Sequence, residues 1–171
     1  MNNLAGRRGR AYLRDCLTYL GLAAATAPFG IIGRRTGWGG NRVFVLAVSA
    51  LPPLAATILA ASQESGPAQA TWGKRTHGLV VTDGDGAPIG FGRATLRNAA
   101  KIGVPWQIGH VVAIGAAFGG FEKRDPLTRA ATVVTYPLLA AMIVAVLRGN
   151  GRGLHDRVAG TAVRRRAAPA C

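Results

Sequence analysis

The chain alternates between long apolar stretches and shorter polar segments rich in arginine. A helix needs about 20 consecutive apolar residues to cross the hydrocarbon core of a bilayer. Four stretches meet this requirement, at about 11–33, 43–61, 103–121 and 130–147. The second and fourth carry no charged side chain, whereas the third contains Gln107 and His110. The pattern predicts an all-α membrane protein with about four transmembrane helices.

One long polar loop, 62–102, and a polar tail, 148–171, complete a single domain over 1–171. In the loop, the short apolar run Leu79–Thr82 precedes Asp83-Gly-Asp-Gly86, and Asp-Gly is a strong β-hairpin signal. Residues 87–91 would form the returning strand, which Pro88 limits to partial pairing because it has no amide hydrogen. The loop is therefore predicted to contain a small cytoplasmic β-hairpin, followed by an amphipathic helix over 91–102.

Three basic side chains, Arg93, Arg97 and Lys101, fall four residues apart along this amphipathic helix. This spacing places them on one helix face, as a basic stripe beside a membrane span. Such a stripe is typical of a helix lying on anionic lipids, so all three are predicted to bind lipid headgroups. Nucleic acid is not expected as a partner, because the arginines are distributed between the spans and do not form one soluble face.

Composition and charge support the membrane interpretation. Hydrophobic residues make up 49% of the 171, only 16% are charged, and yet the formal net charge is +14. Lys and Arg collect in the cytoplasmic loops of membrane proteins. With four spans and the N-terminus inside, the inner side holds more than twice as many of them as the outer side. Both termini are therefore predicted to be cytoplasmic.

The most informative charge is Asp15, because it falls inside the first apolar stretch. An ionisable side chain within the membrane is costly and is by default a candidate for function. Arg8 lies two helical turns earlier and projects from nearly the same face. His110 shares a face with Gln107 and could line a polar path with Asp15. The alternatives are that Asp15 is a structural carboxylate neutralised by a nearby arginine, and that His110 is a packing residue.

The sequence gives no support for catalysis. The histidines His77, His110 and His155 are isolated, and neither an HExxH motif nor cysteine pairs at metal-ligand spacing occur. A nucleophile motif such as GxSxG is also missing from the sequence. We therefore expect neither an enzyme, nor a metal site, nor a cofactor.

Several motifs, in order along the chain, resemble those of the RDD family of bacterial membrane proteins, which is named for one arginine and two aspartates. The first-helix motif of that family appears as Arg8, Ala11 and Asp15. Its loop motifs and its terminal Leu-His-Asp signature appear as Gly73-Lys74, Gly78-Leu79, Arg97-Asn98 and Leu154-His155-Asp156. Arg14 and the span 130–147 depart from the usual family pattern.

The resemblance implies a multi-pass protein of the bacterial inner membrane. It suggests transport of a small solute or a cation, with cation/proton exchange as one form, in which Arg8, Asp15, Asp156 and His110 are the functional candidates. The alternative is a membrane scaffold or accessory subunit without transport activity. The surrounding bilayer, including anionic lipids of the inner leaflet, is the expected partner. A second copy of the chain, in a homo-oligomer, or a different membrane protein is a further candidate partner.

Overall fold

The computed structural model describes residues 4–148 and 151–167. Most of these residues are helical, and the two short strands form one antiparallel sheet. The α-helices are α1 Ala5–Arg35, α2 Arg42–Ser49, α3 Leu51–Ser65, α4 Trp72–Thr76, α5 Phe91–Asn98, α6 Val104–Ala117, α7 Pro126–Leu147 and α8 Leu154–Val158. The strands are β1 Leu79–Asp83 and β2 Thr161–Arg165, and Trp38–Gly40 forms a 3-10 turn. This is the mostly helical fold that the sequence predicts.

Three helical units are long and apolar enough to cross a membrane within the described part of the chain: α1, the pair α2–α3 over Arg42–Ser65, and α7. The third predicted span is shorter, since α6 has 14 residues. At 1.5 Å per residue α6 is about 21 Å long, against a hydrocarbon core of about 30 Å. Four spans is therefore an approximate description. A π-helical turn, Ala99–Gly103, joins α6 to α5.

Proline explains where the second spanning unit bends. Pro52 and Pro53 occupy the first turn of α3, where their missing amide hydrogens would have no intrahelical partner anyway. Ala50 separates this turn from the end of α2. The predicted span 43–61 is therefore two helices with a break between them.

The predicted β-hairpin is only partly formed, and the main partner of β1 is a different strand. β1 pairs antiparallel with β2 from the C-terminal segment, with Val81 opposite Val163. The returning stretch after the turn makes a single bridge, Thr82 to Pro88. The turn itself forms, because the Asp83 carboxylate accepts backbone N–H groups of Asp85 and Ala87. Pro88 cannot continue the ladder, so the returning stretch forms no strand. Because Thr82 is paired with both Pro88 and Ala162, the returning stretch and β2 lie on opposite edges of β1.

The buried apolar residues are mainly small, whereas large apolar side chains face outward. Ala11, Ala56, Ala60 and Ala61 are almost fully buried between the helices. Val43, Val133 and Tyr136 are 76%, 72% and 71% exposed. Such extensive exposure of large apolar side chains suits lipid contact and is not expected of a monomer in water. The distribution agrees with helices embedded in a membrane.

Gly115 provides a test of helix packing in this apolar region. A Cβ at Gly115 of α6 would lie 2.1 Å from Thr128 Oγ1 of α7, whereas Gly109 has open space. Because overpacking a tight contact costs about 1–3 kcal/mol, Gly115→Ala should lower the unfolding temperature of the detergent-solubilised protein by several degrees. Gly109→Ala should leave it unchanged or slightly higher. Equal unfolding temperatures for the two variants would contradict the α6–α7 packing.

Candidate functional site

At one end of the helices, ionised side chains from five separate helices meet in the protein interior. We call this group the ionic cluster. Its members are Arg8 and Asp15 from α1, Glu64 from α3, Lys74 from α4, Arg97 from α5 and Asp156 from α8. Since charges removed from water are stable only when paired and hydrogen-bonded, each charge in this group constrains the position of another.

Arg97 is the centre of the ionic cluster. Its Nη1 donates to both carboxylate oxygens of Glu64 at 2.8 Å, and its Nη2 and Nε donate to Asp156 Oδ1 at 2.9 and 3.2 Å. The side chain has no solvent exposure. A guanidinium can bridge two carboxylates in this way because it presents several donors in one plane. Arg97 therefore ties α3, α5 and α8 together.

The prediction that Arg97 binds lipid headgroups is wrong, because two buried carboxylates occupy its guanidinium. The other two members of the predicted basic stripe also differ from one another. Arg93 is exposed and lies 3.8 Å from Asp83, whereas the half-buried Lys101 lies over the Tyr12 ring, 5.0 Å from its centroid. Of the three cations in the predicted helix 91–102, Arg93 is therefore the exposed one. The last residues of this predicted helix form the π-helical turn.

Lys74 joins the carboxylates of α1 and α3. Its Nζ lies 2.8 Å from Glu64 Oε1 and 3.9 Å from Asp15 Oδ2, and it donates to Thr71 Oγ1 at 3.1 Å. Asp15 is 3% exposed and accepts from the Thr71 hydroxyl and the Gly73 backbone N–H, both at 2.7 Å. The partner of Asp15 is therefore a lysine with backbone and hydroxyl donors, and not an arginine.

The glycine of the Gly73-Lys74 motif allows α4 to approach α1 this closely. A Cβ at Gly73 would lie 2.1 Å from the Ala11 carbonyl oxygen and 2.8 Å from Asp15 Oδ1. Any larger residue would push α4 away and lengthen the hydrogen bond to Asp15. Gly78, the other glycine of this loop, has φ +62 directly before β1, a conformation that L side chains rarely adopt. Both glycines therefore act through backbone geometry.

Arg8 extends toward the C-terminal segment and not toward Asp15. Its Nη2 donates to Asp156 Oδ2 at 2.6 Å, and its Nη1 donates to the Gly151 carbonyl. The same Asp156 oxygen accepts the Gly153 backbone N–H at 2.8 Å, which closes the first turn of α8. Arg8 and Asp15 share a face of α1, as the sequence predicts, but each pairs with a different segment.

His155 lies against the ionic cluster and is electrically neutral there. Burial and the positive charge of Arg97 lower the pKa of His155 to about 3, although Asp156 at 3.6 Å acts in the opposite direction. For Asp156, burial alone would raise the pKa. The charges of Arg97 and Arg8 outweigh that effect and hold the pKa of this carboxyl well below its usual range.

His110 and Gln107 lie apart from the ionic cluster. The Trp106 indole N–H donates to His110 Nε2 at 2.9 Å, and His110 Nδ1 lies 2.8 Å from the Ser49 carbonyl oxygen. Gln107 contacts the same end of α2, since its amide Nε2 lies 3.4 Å from both the Leu46 carbonyl oxygen and Ser49 Oγ. Both ring nitrogens of His110 are satisfied, so it packs α6 on α2. The predicted polar path from His110 to Asp15 is not formed.

The sequence analysis missed Glu64, the carboxylate that pairs with both Arg97 and Lys74. It is fully buried, and Asn98 Nδ2 also donates to it at 2.7 Å. The available signal was an acidic residue at the end of a spanning unit, where a charge requires a partner. Within the described residues, no group of three or more His, Cys, Asp or Glu side chains is placed to hold a metal ion.

Replacing Arg97 should destabilise the protein strongly. Arg97→Gln leaves two buried carboxylates with fewer partners, which typically costs about 3–5 kcal/mol of unfolding free energy. Arg93→Gln, one helical turn earlier, removes an exposed pair worth less than about 1 kcal/mol. Chemical unfolding of both variants in detergent measures this difference. Equal stabilities would show that the buried pairs do not stabilise the fold.

The lowered pKa of His155 predicts a pH dependence of stability. The unfolded imidazole takes up a proton below pH 6.5, whereas the folded one does so only near pH 3, so stability should fall as the pH decreases through this window. Between pH 6.5 and about 4.5, His155→Gln should remove a slope of about 1.4 kcal/mol per pH unit. His77→Gln, outside the ionic cluster, is the control. An unchanged slope in His155→Gln would contradict the neutral buried imidazole.

Comparison with known proteins identifies a family for the chain. The model of the RDD family matches residues 4–160, nearly the whole chain. Neither a curated protein nor a solved structure gives a match. Arg8, Asp15 and Asp156, which resemble the family motifs in the sequence, are all members of the ionic cluster. The chain therefore belongs to the RDD family.

Proposed function

We propose that this membrane protein transports a small solute or a cation, and that its specific activity is exchange of a cation for protons. The observation that carries the proposal is the environment of the Lys74 ammonium. It lies among oxygens of Glu64, Asp15 and Thr71, buried at the end of two spanning units. Oxygen atoms of carboxylates and hydroxyls also suit alkali cations, so a transported cation could compete with the ammonium for this position.

In the proposed cycle, Asp15 alternates between a protonated state and a cation-paired state. Arrival of a monovalent cation releases one proton from the carboxyl group, and departure of the cation allows the proton to return, so the exchange is electrically neutral. The ion pair of Arg8 with Asp156 lies between the start of α1 and α8 and acts as a gate on the cytoplasmic side. No catalytic reaction is part of this proposal.

The proposed orientation puts the ionic cluster in the cytoplasm, together with both termini, in the bacterial inner membrane. The excess of Lys and Arg on this side supports it. At the opposite end of the helices, Arg42 pairs with Asp125 at 2.7 Å. This pair would then face the exterior, and its more exposed position suits a water interface.

A second candidate is a membrane scaffold or accessory subunit without transport. Its support is that the polar atoms of Arg97 and Glu64 are fully paired, as in a cluster that fixes a fold. Exposed apolar side chains on α7, such as Val133 and Tyr136, would suit a helical partner or a second copy of the chain. Under this alternative, substitutions in the ionic cluster reduce the yield of folded protein.

Flux measurements separate the two candidates. Purified protein is reconstituted into liposomes that contain a pH-sensitive dye and is challenged with Na⁺, Li⁺ and K⁺ gradients. We expect cation-dependent proton movement in the wild type and a loss to the protein-free background in Asp15→Asn. Asp85→Asn, an exposed carboxylate in the turn after β1, should retain the wild-type rate because it lies outside the ionic cluster.

Folding of each variant is verified by its elution as a single species in detergent and by its unfolding temperature. Folded wild type that moves no protons in any gradient would overturn the transport proposal and favour the scaffold. Unchanged flux in folded Asp15→Asn would remove Asp15 from the exchange step. A partner pull-down from membranes then tests the scaffold candidate.

A further inference from the structure

A cavity of about 370 Å³ lies beside the ionic cluster, between α1 and α7. This volume falls within the range of small-molecule sites. Its polar end is lined by basic side chains, namely Arg8, Lys74, Arg97 and Lys101, together with the neutral His155. Its other end is apolar and is formed by Pro105, Leu139, Met142, Ile143, Val146 and Leu147. The cavity is therefore amphipathic, with a cationic head and an apolar wall.

The charge around this cavity favours an anion. The cavity lining includes no acidic side chain among the described residues. Within the described residues, Lys101 forms no salt bridge within 4.0 Å, and its ammonium lies over the Tyr12 ring. The four lining cations face three cluster carboxylates, Asp15, Glu64 and Asp156. The cations thus outnumber the carboxylates by one, and burial together with the charges of Lys74 and Arg97 lowers the pKa of Lys101 well below its usual range. A bound anion would favour the charged form of Lys101.

His155 supplies an independent indication of a missing acceptor. Arg8 Nη2 lies 3.4 Å from His155 Nε2, and a guanidinium can only donate, so Nε2 is the accepting nitrogen and the hydrogen is on Nδ1. His155 is 5% exposed, and its Nδ1 has no hydrogen-bond partner in the described part of the chain. A buried donor without an acceptor is costly, and an anionic oxygen in the cavity would satisfy it.

The apolar wall indicates that the anion carries a hydrocarbon chain. Leu139, Ile143 and Leu147 repeat every four residues along one face of α7 and are 43%, 61% and 44% exposed. They line the cavity and also reach the outer surface of a spanning-length helix. A molecule already in the bilayer can therefore enter sideways, with its chain along α7. A small water-soluble anion would leave this wall uncovered.

We propose that the cavity binds one anionic phospholipid of the surrounding bilayer. The phosphate lies near Lys101, Arg8 and His155, and one acyl chain lies along the face of α7 formed by Leu139, Ile143 and Leu147. This site is different from the predicted basic stripe, because it uses the cations that face the cavity and does not use the exposed Arg93. It does not depend on the proposed transport activity.

The test is lipid binding to the full-length protein in dodecyl maltoside, followed by native mass spectrometry. The probes are phosphatidylglycerol, phosphatidylcholine and inorganic phosphate. We expect one phosphatidylglycerol per chain, bound about tenfold more tightly than phosphatidylcholine. Lys101→Gln should weaken phosphatidylglycerol about fivefold, the effect of one basic residue near a lipid surface. Ile143→Trp should weaken it at least as much by filling the apolar wall.

Two matched controls distinguish a specific site from general attraction. Arg93→Gln removes an exposed cation from the same segment, and Val133→Trp adds the same bulk to an exposed position of α7 outside the cavity. Both should change the affinity less than twofold. The unfolding temperature in lipid-free detergent verifies folding, and if Lys101→Gln does not fold, Ile143→Trp decides the outcome.

Three results would overturn the proposal. Equal binding of phosphatidylglycerol and phosphatidylcholine would remove the role of the cations. Equal weakening by Arg93→Gln and Lys101→Gln would show a diffuse surface attraction. Binding of inorganic phosphate as tight as that of phosphatidylglycerol would identify a small-anion site without an acyl chain. Because none of these measurements uses flux, they are independent of the transport experiment.

Discussion

The fold depends on one requirement, that the buried guanidinium of Arg97 has a carboxylate on each side. Glu64 and Asp156 meet this requirement from segments that are far apart in sequence. Removing such charges from water costs several kcal/mol per ion, and only good geometry with additional hydrogen bonds offsets this cost. The end of α3, the helix α5 and the C-terminal segment are therefore held in one relative position.

The other contacts of the ionic cluster extend this constraint. Asp156 also accepts from Arg8, which connects the start of α1 with α8, while Lys74 connects Glu64 with Asp15. Glu64 and Asp156 thus each bind cations from two other helices. The pairing of β1 with β2 lies in the same region and closes the chain between the polar loop and the tail. Loop and tail form one polar cap on the spanning helices.

The ionic cluster holds three cations and three carboxylates, and Lys101 beside it adds a further basic side chain. Its three cations pair with carboxylates and also line an amphipathic cavity, whereas its carboxylates are not part of the lining. A structural network can in this way also create a binding surface. The same residues consequently serve both the stability of the fold and the candidate site, and experiments on them need folding controls.

The sequence alone determined the membrane class, the helical fold and the family, because apolar length and short motifs are local properties. It also singled out Arg8, Asp15 and Asp156, which the structure places in the ionic cluster. Only the tertiary structure decided which charged side chains pair with one another and which strands pair in the sheet. Whether Arg97 faces lipid or carboxylates depends on Glu64, which lies 33 residues earlier in the chain. β1 pairs with β2 from the tail and only marginally with the segment after its turn, and no local pattern encodes such a distant partner. Charge pairing and strand pairing are long-range interactions, so only the folded chain specifies them.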